Sequence, residues 1–352
     1  MLGDRQIWRS SGRLADGREI VYFDESPGRA EPPGKQERPA SRPESGLRWD
    51  PLAGEWVMYA ADRQERTYRP VAANCPLCPS RPGYGTEIPA ADYDVVVFEN
   101  RYPALTGPGR CEVICFTAEH DGSFADLSPR RVQTVFEAWA DRSAELGGLA
   151  GVEHVYCFEN RGEEIGVTLS HPHGQVYGFP FVPPRTQRLL ASAHAHRQRT
   201  GRNLFDDLVD AELADGRRIV ARNETWTAFV PRAARWPFEV MIFPAQRVTD
   251  LTQVDAAARA AFAMVYLDVL KRLDALFGAP MPYIAAWQQA PARAARAEFG
   301  LHLHVMAIRR AAGKLKYLAG TESGAGAWSN DVLPETAARL LREAGGGSPD
   351  GR

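Results

Sequence analysis

The sequence predicts an α+β fold in which antiparallel sheet carries helices packed on one face. The chain has 352 residues, 44% hydrophobic and 24% charged, a balance typical of a globular protein that buries a large core. A strand pattern, an amphipathic helix, a second strand and a His-x-His pair also recur in the same order about 130 residues apart. One long helix among strands that hairpins can join favours antiparallel pairing.

The repeated unit predicts two halves, residues 47–195 and 196–343. The first contains a strand over 112–116, a helix over 129–146, a strand over 153–159 and the pair His171 and His173. The second contains a strand over 239–243, a helix over 253–277, a strand over 282–288 and the pair His302 and His304. We expect both halves to be variants of one structural unit.

Shorter segments flank these halves. Residues 1–24 contain an Asp-Gly turn between two strand-like runs, which predicts a β-hairpin. A similar pattern over 213–220 predicts a second hairpin. Residues 25–46 are rich in Pro, Gly, Arg, Glu and Ser and predict a flexible linker, and the glycine-rich tail 344–352 is expected to be disordered.

Charge and hydropathy narrow the class of protein. The net charge of −2 lacks the basic excess of a general nucleic-acid or membrane-surface binder. There is no apolar run as long as a membrane span, and the first residues lack the apolar core of a signal peptide. A cytoplasmic location is therefore expected, with the five cysteines reduced.

The segment Ser170 to Val176 carries the strongest chemical pattern. In an extended segment, His171 and His173 project to the same face, and Pro172 between them stiffens the pair. Imidazole is both a nucleophile near neutral pH and a common zinc ligand, so the two rings could divide these roles. The alternative is a pair of half-buried strand histidines without chemistry.

Two other short motifs suggest binding sites. Cys75 and Cys78 have metal-ligand spacing but supply half of a tetrahedral site, so a metal-free cysteine pair stays open at this stage. Arg63 and Arg66, three residues apart, could face one anion, although a solvated surface turn would have the same sequence.

Several motifs taken together resemble one known family. His171-Pro172-His173-Gly174-Gln175 is similar to the active-site motif of the galactose-1-phosphate uridylyltransferase family, a branch of the histidine-triad superfamily. Other matching segments follow in the family's order over roughly residues 47–325, namely 74–78, 113–120, 158–162 and 316–320. The resemblance implies two histidine-triad-like units that merge into an antiparallel half-barrel.

The resemblance also implies a mechanism and a metal site. His173 would be the nucleophile that forms a uridylyl-histidine intermediate in a ping-pong exchange, and Gln175 would bind a phosphoryl oxygen of that intermediate. Zn²⁺ would be a structural ion, one per subunit, because protein ligands fill all four positions. The implied ligands are Cys75, Cys78, His120 and His171.

The substrates implied are UDP-glucose and galactose 1-phosphate. The nucleotide and its phosphates would contact Arg63, Arg66, Asn100, Asn160, Gly166 and Thr168. The hexose would contact Lys316, Tyr317 and Glu322. In the family this last segment reaches the neighbouring subunit's site, so a homodimer with shared sites is implied. Thr321 stands where some members carry tyrosine, which weakens the assignment of galactose as the preferred sugar.

One departure from the family concerns a second metal. Some members bind it through a glutamate, a histidine and a His-x-His pair. Here His302 and His304 keep the pair, but the other two positions are Leu189 and Gln288. Because two histidines alone make a weak site, we predict that this second metal is absent.

Three other functions remain open from the sequence. The nearest is an ADP-glucose phosphorylase or another nucleotidyltransferase of the superfamily, although Gly174 favours the uridylyl branch over relatives that carry serine there. A nucleotide-binding protein without turnover is disfavoured because His173 and Gln175 are both present. A zinc-dependent nucleic-acid-binding module is disfavoured by the near-neutral charge.

Overall fold

The computed structural model describes residues 6–27, 45–65 and 68–346. Most of the linker predicted over 25–46 and the end of the tail predicted over 344–352 therefore lie outside the described residues. Ser45 and Gly46 already belong to a strand, and the last described helix ends at Ala344.

The structure alternates strands and helices along the chain. The strands are β1 (Trp8–Arg13), β2 (Glu19–Asp24), β3 (Ser45–Asp50), β4 (Glu55–Ala60), β5 (Val95–Glu99), β6 (Arg110–Cys115), β7 (His154–Arg161), β8 (His173–Phe179), β9 (Ile219–Arg222), β10 (Trp226–Phe229), β11 (Phe238–Pro244), β12 (Tyr283–Gln288), β13 (His302–Ala307), β14 (Arg309–Ala311) and β15 (Lys314–Leu315). The helices are α1 (Pro129–Gly148), α2 (Pro184–Thr200), α3 (Leu204–Asp215), α4 (Ala256–Ala275) and α5 (Pro334–Ala344).

These elements form two compact units. Of the described residues, the first unit comprises those within 1–157, 168–187 and 291–293, and the second comprises those within 158–167, 188–290 and 294–352. The boundary expected between residues 195 and 196 falls inside α2. No helix in the part of the chain that the structure describes is long and apolar enough to cross a membrane.

The first unit is a sheet with the order β1-β2-β5-β6-β8 and then the start of β7. Neighbouring strands from β1 to β8 pair antiparallel, and Cys115 of β6 lies opposite His173 of β8. Helix α1 begins where Ser128 accepts a hydrogen bond from the backbone of Arg131, and its apolar side packs against β2, β5 and β8. Strands β1 and β2 form a hairpin within the segment 1–24, where the sequence predicts one.

The second unit has the order β7-β12-β13-β11-β10-β9, beginning with the last four residues of β7. Its long helix α4 begins at Asp255, whose side chain accepts from the backbone of Ala258. The ring of Phe262 on α4 packs edge-on against Trp226 of β10. Mixed helix and antiparallel sheet, as the sequence predicts, is therefore the fold of both units.

The prediction that helices cover one face of the sheet is wrong for the second unit. Trp226 and Phe229 are three apart on β10, so they point to opposite faces. Trp226 meets α4, whereas Phe229 joins an apolar cluster with Phe205 of α3 and Ala193 of α2. Both faces of this sheet carry large apolar side chains, and each face needs a helical cover.

The second predicted hairpin, over 213–220, is also wrong. Residues up to Asp215 belong to α3, and Gly216 ends that helix with a φ of 71° while its N–H donates to the carbonyl of Glu212. Asn203 caps the start of α3, and the buried Phe205 anchors it. The Asp-Gly pair therefore forms a left-handed helix cap, which has the same local sequence preference as a hairpin turn.

Candidate active site and metal centre

The predicted metal ligands come together in the first unit. The ligand atoms of Cys75, Cys78, His120 and His171 all lie within 4.8 Å of one another. The Sγ atom of Cys78 is 3.3 Å from Nδ1 of His120 and 3.6 Å from Nδ1 of His171. The loop that carries both cysteines packs on the sheet through Leu77 and Ile88, which brings it beside the residues that precede β8.

Hydrogen bonds set the orientation of both histidine rings. Nε2 of His171 lies 2.8 Å from the carbonyl oxygen of Thr117 and 2.9 Å from the hydroxyl of Tyr93. A carbonyl oxygen can only accept, so Nε2 carries the hydrogen and Nδ1 turns its lone pair toward the cysteines. Nε2 of His120 makes the corresponding contact with the hydroxyl of Ser170 at 3.1 Å.

The pKa values of the cluster residues are compatible with a bound cation. Burial and the neighbouring Cys75 raise the pKa of Cys78 to about 12, so two thiolates side by side need a positive ion to stabilise them. Burial lowers the pKa of His171 to about 4, which keeps its ring in the neutral form that binds metals. Two thiols and two imidazoles in this arrangement are compatible with a structural metal ion.

His173 begins β8 and is half-buried. Its Nδ1 atom lies 2.7 Å from the carbonyl oxygen of His171. Because that oxygen can only accept, Nδ1 carries a hydrogen, so in the neutral ring Nε2 carries the lone pair. This tautomer allows Nε2 to act as a nucleophile, and the residue that fixes it belongs to the cluster of Cys75, Cys78, His120 and His171.

A line of polar side chains continues along the same face of β8. Gln175 and Tyr177 follow His173 at two-residue intervals, so all three project to one side of the strand. The hydroxyl of Tyr177 donates to Oε1 of Gln175 at 3.0 Å and accepts from the guanidinium of Arg63 at 2.6 Å.

Two other predicted nucleotide contacts lie in the first unit. Asn100 follows β5, and its Oδ1 accepts from the backbone of Tyr102, whose own carbonyl lies 3.4 Å from Nε of Arg63. Thr168 is half-buried, and its carbonyl accepts from the backbone of Arg69. Arg66 lies outside the described residues.

Asn160 and Gly166 lie in the second unit. Asn160 is the penultimate residue of β7 and is half-buried. Gly166 ends a short helical turn with a φ of 80°, and Gly162 begins it with a φ of 103°, conformations that favour glycine. A side chain at Gly162 would also collide with Pro282, since an added Cβ would lie 2.8 Å from that ring.

Comparison with known proteins gives the family. Residues 106–183 match the model for the N-terminal domain of galactose-1-phosphate uridyl transferase, and residues 187–346 match the model for its C-terminal domain. The chain belongs to the galactose-1-phosphate uridylyltransferase family. The family predicted from the sequence is thereby confirmed.

Relatives within this family match nearly the whole chain. A galactose-1-phosphate uridylyltransferase of Streptomyces lividans is 48% identical, and the match covers 95% of this chain and 97% of the relative. One of Thermotoga maritima is 34% identical over 84% of this chain and 98% of the relative. A solved structure described as a uridylyltransferase is 32% identical with a TM-score of 0.76, covering 85% of this chain and 98% of that one.

The segment that resembles the family's sugar-contacting residues lies in the second unit. Lys316 and Glu322 are buried there and form an ion pair at 2.9 Å. The carboxylate of Glu322 also accepts hydrogen bonds from the hydroxyls of Thr321 and Ser329, each at 2.9 Å. The hydrogen bond from Lys316, together with these two, lowers the pKa of Glu322. Tyr317 points outward and is 69% exposed.

The resemblance links four positions to a second metal in some family members, and here the residues at these positions have other contacts. His302 stacks on Phe243 with ring centroids 4.5 Å apart, and Leu189 packs into the same apolar cluster. Nε2 of His304 lies 2.6 Å from the carboxylate of Glu239. Gln288 is buried opposite His302. The absence of a second metal stays a prediction.

Two tyrosines with direct contacts to these groups were missed by the sequence analysis. Tyr177 carries a usable signal, because it follows His173 and Gln175 with the strand period of two. Tyr93 has no local signal, since it lies 78 residues before its partner His171. A contact of that range is created by the packing of the cysteine loop on the sheet.

Proposed function

We propose that the protein is a UDP-glucose:hexose-1-phosphate uridylyltransferase with galactose 1-phosphate as acceptor, and that His173 is the nucleophile. The observation that carries this proposal is the 2.7 Å contact between Nδ1 of His173 and the carbonyl of His171. It leaves Nε2 as an unprotonated nucleophile in a family whose named relatives are uridylyltransferases.

In the first half-reaction, Nε2 of His173 attacks the α-phosphorus of UDP-glucose. A nitrogen–phosphorus bond forms, and the bond between that phosphorus and the bridging oxygen breaks. The electron pair leaves with glucose 1-phosphate. Nε2 carries no hydrogen at the start, so no proton has to leave the ring, and Nδ1 keeps its hydrogen on the carbonyl of His171.

Gln175 stabilises the charge that spreads over the phosphoryl oxygens. Its Oε1 accepts from Tyr177, so the amide NH₂ is the end that can donate to a phosphoryl oxygen. A carboxylate at this position would repel that oxygen. Asn100, Asn160, Gly166, Thr168, Arg63 and Arg66 are proposed as further contacts of the nucleotide and its phosphates.

In the second half-reaction, a phosphate oxygen of galactose 1-phosphate attacks the same phosphorus and regenerates free His173. UDP-galactose is released, so both sugar phosphates use one pocket in turn. Lys316, Tyr317 and Glu322 are proposed to recognise the hexose. The exposed ring of Tyr317 and the tight hydrogen bonding of Glu322 suggest that Glu322 also holds this segment in shape.

The ion proposed for the cluster of Cys75, Cys78, His120 and His171 is Zn²⁺, held by two thiolates and two neutral imidazoles. When bound, it supplies a rigid link between the cysteine loop and the residue that fixes the tautomer of His173. The four protein ligands leave no position for a substrate, which makes its role structural.

A homodimer is also proposed. The hairpin of β3 and β4 exposes large apolar side chains on a two-stranded ribbon, including Leu52 at 98% and Trp49 at 50%. Such exposure is unusual for a monomer and is typical of an interface. A cytoplasmic location stays a prediction.

The two units are proposed to be duplicated histidine-triad-like halves that form a half-barrel. The strand order β2-β5-β6-β8 in the first unit corresponds to β9-β10-β11-β13 in the second. In this correspondence α1 matches α4, and His173 at the start of β8 matches His304 on β13. The match supports one ancestral unit. It does not require two active sites, because the carboxylate of Glu239 contacts Nε2 of His304.

Intact-protein mass spectrometry tests the function. The protein is incubated briefly with UDP-glucose and no acceptor, beside His173→Gly and the control His194→Ala, which removes an exposed histidine. We expect one uridylyl adduct on the wild type and the control, none on His173→Gly, and discharge by galactose 1-phosphate. An adduct that persists on His173→Gly would exclude His173 as nucleophile. An adduct from ADP-glucose alone would assign the adenylyl branch, and no adduct from either would indicate a binding protein.

A further inference from the structure

Tyr177 lies between two residues of the proposed active site. It is buried, and its hydroxyl contacts Arg63 at 2.6 Å on one side and Oε1 of Gln175 at 3.0 Å on the other. Its ring packs against Phe179 at 5.8 Å between centroids. The hydroxyl therefore has a fixed place, set by the packing of the ring.

The direction of these two hydrogen bonds follows from the chemistry of the groups. A guanidinium can only donate, so the Tyr177 oxygen accepts from Arg63. A phenol has one hydrogen, and the Tyr177 hydroxyl gives it to Oε1 of Gln175. The thiol of Cys111 also lies against this hydroxyl, but sulfur is a weaker acceptor than an amide oxygen.

This arrangement decides which end of the Gln175 amide faces the phosphoryl group. An amide has a donor end and an acceptor end of nearly the same shape, and a strand side chain can turn either end outward. The wrong end would present Oε1 to the negatively charged phosphoryl oxygens. A donor aimed at developing charge aids the transition state, whereas an acceptor there opposes it.

We propose that Tyr177 is a positioning residue for uridylyl transfer, which fixes the amide of Gln175 with its NH₂ toward the phosphoryl site. Arg63 acts through Tyr177 by holding the hydroxyl so that its hydrogen points at Oε1. The inference rests on the proposed function, and it gives Arg63 a role that does not require direct contact with the nucleotide.

The test is Tyr177→Phe, which removes the hydroxyl and keeps the ring against Phe179. The matched control is Tyr22→Phe, another buried tyrosine of the same unit, which lies on β2. We expect the rate of uridylyl adduct formation at saturating UDP-glucose to fall about tenfold in Tyr177→Phe. This decrease is smaller than the one caused by removing a donor that contacts the developing charge directly. The UDP-glucose concentration that gives half of the maximal rate should change by less than about threefold. An interaction that acts mainly in the transition state lowers the maximal rate and leaves substrate binding largely unchanged.

A double-mutant cycle separates positioning from a general structural role. In a Gln175→Ala background, Tyr177→Phe should cause no further loss of rate, because the amide on which it acts is gone. Additive losses, or a wild-type rate for Tyr177→Phe alone, would overturn the inference. If the wild type itself forms no adduct with UDP-glucose, the proposed function fails instead. Melting temperatures of all variants show whether the fold is retained.

Discussion

The Nδ1 atom of His173 lies 2.7 Å from the carbonyl oxygen of His171, a residue whose own ring faces Cys78. One short segment therefore joins the proposed metal cluster to the proposed nucleophile through a single backbone group. Any change that disorders the cluster should also weaken the hydrogen bond that fixes the tautomer of His173. This effect does not require a cluster ligand to contact the substrate. We therefore expect the proposed structural metal to influence catalysis indirectly.

Tyr93→Phe should weaken metal binding. The Tyr93 hydroxyl lies 2.9 Å from Nε2 of His171 and helps to fix that ring. Loss of such a partner lowers metal affinity by about tenfold or more. Competition with a chromogenic zinc chelator measures the change, and Tyr22→Phe is the control. Equal metal affinity in both variants would show that Thr117 alone suffices to orient the ring.

His154 should make the first unit sensitive to acid. Burial lowers its pKa from 6.5 to about 4, and its Nδ1 lacks a hydrogen-bond partner in the described residues. The unfolded chain takes up a proton below pH 6.5, whereas the folded chain resists it until about pH 4. The free energy of unfolding should therefore decrease by about 3 kcal/mol as the pH falls through this window.

Urea titrations of His154→Leu at several pH values measure this contribution. Relative to the wild type, the variant should gain stability as the pH falls from 6.5 to 4, because its unfolded chain no longer takes up this proton. His194→Ala, which removes an exposed histidine, should keep the wild-type profile. An unchanged slope in His154→Leu would mean that the ring is already protonated in the folded protein.

Glu159 should have the opposite effect in the second unit. Burial raises its pKa from 4.5 to about 7, while the charge of Arg161 and the hydroxyl of Tyr283 act against that rise. The folded chain keeps this proton between pH 4.5 and 7, where the unfolded chain has lost it. Stability from this residue is present below pH 4.5 and decreases by about 3 kcal/mol as the pH rises to 7.

Glu159→Gln should remove that decrease, because the amide stays neutral at every pH. Relative to the wild type, the variant should gain stability as the pH rises from 4.5 to 7. Denaturation curves at pH 5 and pH 8 provide the measurement. A relative stability that does not change between these two pH values would refute the raised pKa. Because His154 and Glu159 oppose each other, the wild-type profile should be flatter than that of either variant.

Glu322→Gln should slow both half-reactions. The carboxylate accepts from Lys316, Thr321 and Ser329, and a neutral amide cannot replace it against a buried ammonium. Because both sugar phosphates use one pocket in turn, we expect adduct formation from UDP-glucose and discharge by galactose 1-phosphate each to become about tenfold slower. Rapid-quench measurements of both steps provide the test, with Glu343→Gln on the exposed end of α5 as control. Wild-type rates for both steps would exclude Glu322 from recognition of the hexose.

The elements with strong local signals were predictable from the sequence. The long helices α1 and α4 and the strands β6, β7, β11 and β12 follow from apolar periodicity, and their ends differ from the predicted ones by a few residues. Helix α3 was missed because its C-terminal Asp-Gly pair is also typical of hairpin turns. The apolar residues Phe205 and Phe229, brought together by packing, decide between those two structures.

The sequence by itself determined the family, the sheet-and-helix fold and the types of residue available for metal binding and phosphoryl chemistry, because these follow from periodicity and motif order. The tertiary structure decided which atoms meet. Tyr93 contacts His171 and Arg63 contacts Tyr177 over separations of 78 and 114 residues. It also decided the tautomer of His173 and the orientation of the Gln175 amide, because both depend on hydrogen bonds whose partners are fixed only when the sheet and its loops have packed.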